Sequence, residues 1–293
     1  MYKMKGVVPP MMTPFKENGD LDEKGLSDLV AFLKEKVHGI FVTGSYGSGA
    51  LMTVDERKKV VEVCSKVNQG KIDIIPMVGS TNNRTSVELA RHAQDQGVQA
   101  VAAVGPYYFT HKEDSILYFY EDLIKAVDVP VYLYNNPKFQ GYDISLNTIK
   151  KLKSIGLHGI KDATFDILTH ANYQRVLVDD NFDVALGTEA MWLSASVLGC
   201  KAFIPGLGNA FPEICVQMYE EAMAGDFAKC KETQMLVNKM RDIMYFAGST
   251  QLAVYAMLEL RGICKSYPRA PFIPAKEEDK ARIKVALQKL GML

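Results

Sequence analysis

Residues 157–164 read LHGIKDAT, a short apolar run that ends on a lysine. The pattern predicts a buried strand, and Lys161 is unusual there because burying an ammonium group without a partner is costly. An amine desolvated at a strand end, with a lowered pKa, can attack a carbonyl carbon and form a Schiff base. The alternative is an ordinary solvated lysine at the boundary between a strand and a loop. Which interpretation holds depends on what the chain places around Lys161.

Seven further apolar runs flank this strand, and a helix is expected after each of the eight. We expect strands at 7–12, 40–43, 72–78, 100–104, 131–134, the run ending at Lys161, 182–186 and 202–204. Among the helices, we expect 22–36, one opened by Thr53, 85–96, 113–127 and 145–153. Glu56 stands three residues after Thr53 and predicts a capping box.

Eight strands alternating with helices predict a parallel (β/α)8 TIM barrel. An open doubly wound sheet is the rival fold, but it normally carries a phosphate-binding glycine loop after the first strand, where this chain has Pro14 and Phe15. The strands stop after residue 225, and helices are expected at 227–246, 251–260 and 277–290. We therefore expect a barrel at 1–224 and a C-terminal helical extension at 225–293, packed on it as one structural unit.

Composition narrows the class of protein. The 293 residues are 48% hydrophobic and 23% charged, with a formal net charge of +0, which is typical of a globular protein. Basic residues form no cluster with aromatics, so nucleic acid is not an expected partner, and no apolar run is long enough for a membrane span. The start lacks an apolar signal-peptide core, and five cysteines form no CxxC pair, so we expect reduced thiols and a cytoplasmic protein. The five histidines are scattered, which argues against a metal site.

Functional groups of such a barrel lie at the carboxyl ends of its strands. In this chain those ends carry Ser45-Tyr46, Tyr107-Tyr108, Tyr134, Lys161, Gly187-Thr188-Glu189 and Ile204. Each has a structural alternative: the tyrosines as core or interface residues, the glycine loop 44–49 as a tight turn. Their placement on one face favours a site. The glycine loop lacks a Gly-Lys-Ser/Thr ending, so it is not an ATP-binding loop, but its amides could bind a carboxylate.

Four motifs in this order resemble the family of dihydrodipicolinate synthase and N-acetylneuraminate lyase, the pyruvate-dependent class I aldolases. They are GSYGS at 44–48, PYY at 106–108, YNNP at 134–137 and GIKD at 159–162. The resemblance runs nearly end to end. It implies that Lys161 condenses with the ketone of pyruvate or a longer 2-keto acid, with no cofactor besides this lysine imine and no metal.

The resemblance also implies roles for the neighbouring residues. Tyr134 would move the proton of the substrate hydroxyl as general acid and base. Ser45 would hold Tyr134 through a hydroxyl relay that includes Tyr108. The backbone amides of Ser45 and Tyr46 would bind the substrate carboxylate, and main-chain groups of Gly187 and Ile204 would orient the imine.

Departures from the family pattern bear on the substrate. Phe139 stands where the synthase has an arginine for the second substrate's carboxylate, and a phenyl ring cannot replace it. The lyase usually has two acidic residues after Gly187, whereas Thr188-Glu189-Ala190 keeps one. Tyr46 replaces a small hydroxyl residue of the glycine loop, and Ser48 replaces a glutamate.

We therefore expect a lyase that cleaves a 2-keto-3-deoxy sugar acid or N-acetylneuraminate to pyruvate plus an aldehyde, with Phe139, Thr188 and Glu189 among the substrate-binding residues. The synthase reaction of pyruvate with aspartate semialdehyde is the alternative, and a non-catalytic 2-keto acid binder is an alternative of another class. The resemblance further implies a homotetramer, a dimer of dimers in which the loop of Tyr107 and Tyr108 crosses between subunits.

Overall fold

Eight short strands alternate with helices along residues 2–293, the part of the chain that the computed structural model describes. Met1, the first residue of the expected barrel unit, lies outside that range. The strands are β1 (Gly6–Val7), β2 (Gly39–Val42), β3 (Asp73–Pro76), β4 (Val101–Val104), β5 (Val131–Asn135), β6 (Gly159–Asp162), β7 (Asp183–Leu186) and β8 (Ala202–Phe203). Within the same residues, the α-helices are α1 (Glu23–Leu33), α2 (Val54–Asn68), α3 (Asn83–Asp95), α4 (Glu113–Ala126), α5 (Pro137–Gln140), α6 (Leu146–Ser154), α7 (Ile167–Leu177), α8 (Trp192–Val197), α9 (Pro212–Met223), α10 (Phe227–Met244), α11 (Thr250–Leu260) and α12 (Glu277–Lys289).

The strands are all parallel and close into a barrel. Six of them hydrogen-bond in the order β1-β8-β7-β6-β5-β4, and β2 pairs with β3. Parallel bridges from Pro10 to Phe41 and from Met77 to Ala102 join the two sets. The (β/α)8 TIM barrel prediction is confirmed, and the rival open sheet is excluded by this closure.

Strand alternation decides which side chains enter the barrel. Successive residues of a strand face opposite sides. Leu133 and Ile160 belong to the core between the strands and the helices, whereas Tyr134 belongs to the inner cluster. The register pairs Tyr134 of β5 with Lys161 of β6, so the lysine also points into the barrel.

Local sequence explains most element boundaries. Thr53 caps α2 by accepting a hydrogen bond from the Glu56 amide at 3.2 Å, and the Glu56 carboxylate accepts one from the Thr53 amide at 2.9 Å. This confirms the predicted capping box. The first strand is shorter than expected, since Pro9 and Pro10 have no amide N–H for the sheet ladder. The four-residue helix α5 was not expected from the sequence.

The C-terminal helices contact the barrel at the level of the strand ends. Gln251 of α11 donates to the Ser45 carbonyl at 2.7 Å, and Gln234 of α10 donates to the Glu189 carbonyl at 2.8 Å. Tyr255 of α11 donates to the Thr13 carbonyl at 2.8 Å. The helices are present as expected, and the boundary between residues 224 and 225 stays a prediction.

Two further observations concern the class of protein. Within residues 2–293, no helix combines the length and the apolarity that crossing a bilayer requires. All five cysteines are free thiols with buried side chains.

Candidate active site

Lys161 lies inside the barrel near the carboxyl end of β6, with only 3% of its surface exposed. Its Nζ atom is 3.6 Å from the centroid of the Phe41 ring and 3.9 Å from that of Tyr134. Within residues 2–293, no carboxylate forms an ion pair with it. Burial therefore lowers the pKa of Lys161 well below its ordinary value, which favours the uncharged, nucleophilic amine. The solvated alternative for this lysine is wrong.

The Tyr134 hydroxyl lies at the centre of a small hydrogen-bond group. It pairs with Ser45 Oγ at 3.2 Å and accepts from Asn136 Nδ2 at 3.0 Å. Burial raises the pKa of Tyr134, and these two hydrogen bonds partly oppose that shift. The structure thus brings together Lys161, Tyr134 and Ser45 as expected. It adds Asn136, which sequence reasoning missed although an asparagine before a proline is a common helix N-cap.

The glycine loop after β2 presents unpaired backbone amides. Within residues 2–293, the amides of Ser45 and Tyr46 have no hydrogen-bond acceptor. The loop is fixed from outside, because Thr13 Oγ1 donates to the Gly47 carbonyl at 2.7 Å and Gln251 holds the Ser45 carbonyl. Two adjacent amides at the barrel mouth can bind a carboxylate.

The Tyr46 side chain turns towards the C-terminal helices. Its hydroxyl donates to Thr250 Oγ1 at 2.9 Å. A Cβ at Gly206 would lie 2.6 Å from the Tyr46 oxygen, so only a glycine at 206 leaves room for the ring. Burial raises the pKa of Tyr46, whose ring packs against the loop after β8 at Gly206.

Glu189 is 1% exposed, and its carboxylate has protein partners. It accepts from the amides of Gly206 at 3.1 Å and Leu207 at 3.4 Å, and it pairs with Arg241 Nη1 of α10 at 3.0 Å. The neighbouring Thr188 is also buried, and its hydroxyl accepts from the Ala190 amide at 3.1 Å. The sequence interpretation gave Glu189 to substrate hydroxyls, whereas this geometry gives it to the loop after β8.

Gly187 and Ile204 occupy the expected strand ends. The Gly187 amide donates to the Asp162 carbonyl at 2.6 Å, and the Ile204 amide donates to the Leu186 carbonyl at 2.8 Å. Both amides are therefore engaged, which leaves the two carbonyl groups as the main-chain partners available to an imine.

Phe139, Tyr107 and Tyr108 lie at the edge of the site. Phe139 is on α5 and 51% exposed. Tyr107 packs against the inner cluster, whereas Tyr108 is 87% exposed and stacks edge-on against Phe109. A single chain therefore does not bring Tyr108 to Ser45 and Tyr134, and the crossing relay stays a prediction about two subunits.

A buried ion pair supports the outer side of β6. His170 Nδ1 of α7 lies 2.9 Å from Asp162 Oδ2, and both side chains are buried. Thr164 donates to the other Asp162 oxygen from its amide and its hydroxyl. The pair anchors the strand that carries Lys161 to helix α7. Sequence reasoning missed it, although the GIKD motif contains the aspartate.

These features define a class: a TIM-barrel enzyme whose desolvated lysine lies beside a hydrogen-bonded tyrosine, an arrangement suited to Schiff-base chemistry on a keto acid. The model of the dihydrodipicolinate synthetase family matches residues 3–290. The chain belongs to this family. Its members are enzymes that form or cleave carbon–carbon bonds through a lysine Schiff base with pyruvate, without a metal or other cofactor.

Individual relatives cover nearly the whole chain. A 4-hydroxy-tetrahydrodipicolinate synthase of Phenylobacterium zucineum (strain HLK1) is 30% identical, over 99% of this chain and 98% of the relative. YagE of E. coli K12, a prophage protein of the dihydrodipicolinic acid synthase family solved with pyruvate, has a TM-score of 0.93 and 26% identity, over 99% of both chains. The sialic acid aldolase of Ruminococcus gnavus has a TM-score of 0.92 and 27% identity, over 98% of this chain and 97% of the relative.

Proposed function

We propose that the protein cleaves a 2-keto acid to pyruvate and an aldehyde, with Lys161 as the nucleophile. The observation that carries this proposal is the position of the buried Lys161 amine beside Tyr134 on the adjacent strand β5, whose hydroxyl pairs with Ser45 Oγ. A protein that only bound a keto acid as a sensor would need no proton relay beside its lysine.

In the proposed reaction, the uncharged amine of Lys161 attacks the C2 carbonyl carbon, and loss of water leaves a protonated imine. Tyr134 relays the proton from the hydroxyl on C4. The C3–C4 bond then breaks, its electron pair moves towards the imine, and an aldehyde and an enamine result. The enamine takes a proton at C3, and water hydrolyses the imine to release pyruvate and the free amine.

The substrate carboxylate is proposed to bind the free amides of Ser45 and Tyr46. Both lie at the barrel mouth, and Gln251 holds the carbonyl of Ser45 from behind. Asn136 is proposed to fix the Tyr134 hydroxyl, since its side-chain N–H donates to that oxygen at 3.0 Å.

Cleavage of a sugar acid is our first candidate for the reaction, and the synthase reaction is the second. Phe139 supports this order, because its ring offers no charge to the carboxylate of aspartate semialdehyde. The relative named as a synthase keeps the second candidate open. The two candidates differ in one assay: pyruvate release from a panel of 2-keto-3-deoxy sugar acids, against consumption of pyruvate with aspartate semialdehyde.

The proposed assembly is a tetramer made of two tight dimers. Tyr108 supports it, because its φ of 83° lies in the left-handed region and its side chain is 87% exposed in one chain. Mixing inactive Tyr108→Phe and Lys161→Ala subunits tests the crossing. If Tyr108 reaches the neighbouring site, hybrid dimers contain one complete site and activity returns. Unrestored activity in verified hybrids would contradict the crossing.

Borohydride reduction in the presence of pyruvate tests the proposed chemistry. We expect intact wild-type protein to gain the mass of one reduced pyruvate adduct, located at Lys161 by peptide mapping. Lys161→Ala should gain none, whereas Lys138→Ala, which changes an exposed lysine beside the site, should react like wild type. Adduct formation in Lys161→Ala, or none in wild type, would exclude the proposed mechanism.

A further inference from the structure

The cationic intermediate of the proposed reaction would form at Lys161 Nζ, which has no paired carboxylate within residues 2–293. Phe41 of β2 is fully buried, and its ring centroid is 3.6 Å from Lys161 Nζ. The Phe41 and Tyr134 rings meet edge to face, with centroids 5.7 Å apart and planes at 77°. Lys161 Nζ thus lies against two aromatic faces, and within residues 2–293 no acidic side chain is paired with it.

The Phe41 ring is held in place by its surroundings. The backbone amide of Phe41 donates to the Pro9 carbonyl, and the Phe41 carbonyl accepts from the Met11 amide, both at 2.9 Å. A Cβ at Gly44 would lie 2.8 Å from the ring, so the glycine is what admits the ring at this point. The position of the Phe41 ring is therefore determined by the fold around it.

A protonated imine at Lys161 carries a positive charge in a desolvated site, and burying an unpaired cation is unfavourable. A carboxylate at this distance would stabilise the cation, but it would also hold the free amine as ammonium and remove the nucleophile. An aromatic face attracts a cation more weakly and accepts no proton. It therefore stabilises the intermediate, while burial still favours the uncharged amine.

We propose that Phe41 is a catalytic residue of the Lys161 reaction, stabilising the protonated imine through the negative face of its ring. This inference rests on the proposed Schiff-base function. Tyr134 shares the ring contact, but its hydroxyl also moves a proton, so Phe41 is the position where the effect of the ring can be measured alone.

A packing role and an electrostatic role make different predictions. If Phe41 only fills volume, ring electrons do not matter. Fluorine atoms change the shape of phenylalanine little but withdraw electron density from the face of its ring. The experiment replaces Phe41 with 4-fluoro-, 3,5-difluoro- and 3,4,5-trifluorophenylalanine and measures pyruvate imine at equilibrium by borohydride trapping, together with kcat. Thermal melting confirms that each variant is folded.

We expect trapped imine and kcat to fall stepwise with fluorine count, by about tenfold across the series. The same substitutions at Phe119, a buried ring of the outer core, should change neither. Phe41→Leu should also shift the acid limb of the imine-formation profile to lower pH, because it removes a face that stabilises ammonium as well. Fluorinated variants that trap imine as well as wild type would overturn the inference. A wild type without any Lys161 adduct would instead overturn the proposed function.

Discussion

Arg241→Met should destabilise the protein well beyond the loss of a surface ion pair. Its partner Glu189 is 1% exposed, and without Arg241 the buried carboxylate keeps only the amides of Gly206 and Leu207. Breaking a buried pair from one side costs about 3–5 kcal/mol. The two remaining donors and the partial exposure of Arg241 reduce the expected loss to about 2–3 kcal/mol.

The assay is thermal unfolding of the variants at neutral pH. At about 2 °C per kcal/mol for a chain of this size, Arg241→Met should lower the melting temperature by about 5 °C. Adding Glu189→Gln should recover most of the loss, because a neutral amide oxygen still accepts from Gly206 and leaves no buried charge. Lys125→Met breaks the exposed pair with Glu121 and should change little.

An Arg241→Met variant with the same melting temperature as Lys125→Met would refute this reasoning. Arg241 would then not be needed to hold Glu189. The carboxylate would be free to turn towards substrate, as the sequence interpretation supposed. Measuring the activity of Glu189→Gln on sugar acids would further distinguish a structural role of Glu189 from a role in substrate binding.

Three further predictions concern groups with perturbed pKa values. Asn136→Ala should lower kcat about tenfold and shift the basic limb of the pH profile of kcat to higher pH, because loss of the hydrogen bond raises the pKa of Tyr134. An unchanged pH profile would argue against this contact. Burial raises the pKa of Asp183 to about 6, so the folded state binds this proton more tightly than the unfolded state does. Stability therefore falls as pH rises from about 4 to 6. The free energy of unfolding of Asp183→Asn at pH 7 should therefore exceed that of wild type by about 2 kcal/mol or more. This difference should close towards pH 4, and a constant difference would contradict the assignment. Burial disfavours the charged His170 ring, yet the Asp162 hydrogen bond raises the pKa of His170 to about 9. The ion pair therefore contributes fully to stability below about pH 6.5, and this contribution is lost as pH rises through 9. The stability advantage of wild type over His170→Asn should shrink across that range, and an advantage that grows with pH would contradict the prediction.

The fold followed from local patterns in the sequence. Short apolar runs, each followed by a helical period, predicted the barrel. The Thr53–Glu56 capping box needs only residues three apart. Lys161 was conspicuous because a strand interior rarely contains a lysine, and alternation then placed it inside the barrel.

The parts that could not be predicted depend on distant residues. The partner of Glu189 is Arg241, 52 positions along the chain, and no local pattern connects them. Phe41 looks like any core residue until the ring is seen against Lys161 Nζ. The proposed contacts of Tyr108 involve a second subunit, so neither the sequence pattern nor one chain determines them.

The support of the glycine loop by α11 has a consequence for protein synthesis. Gln251, which holds the Ser45 carbonyl, follows it by 206 positions. Barrel strands can form before the ribosome has added helices α10 to α12, since folding proceeds from the N-terminal side during translation. The loop after β2 lacks its hydrogen bonds to α11 until Gln251 has left the exit tunnel. We expect a nascent chain arrested near residue 224, which contains Lys161, Tyr134 and Ser45, to bind pyruvate more weakly than a chain that extends past Gln251.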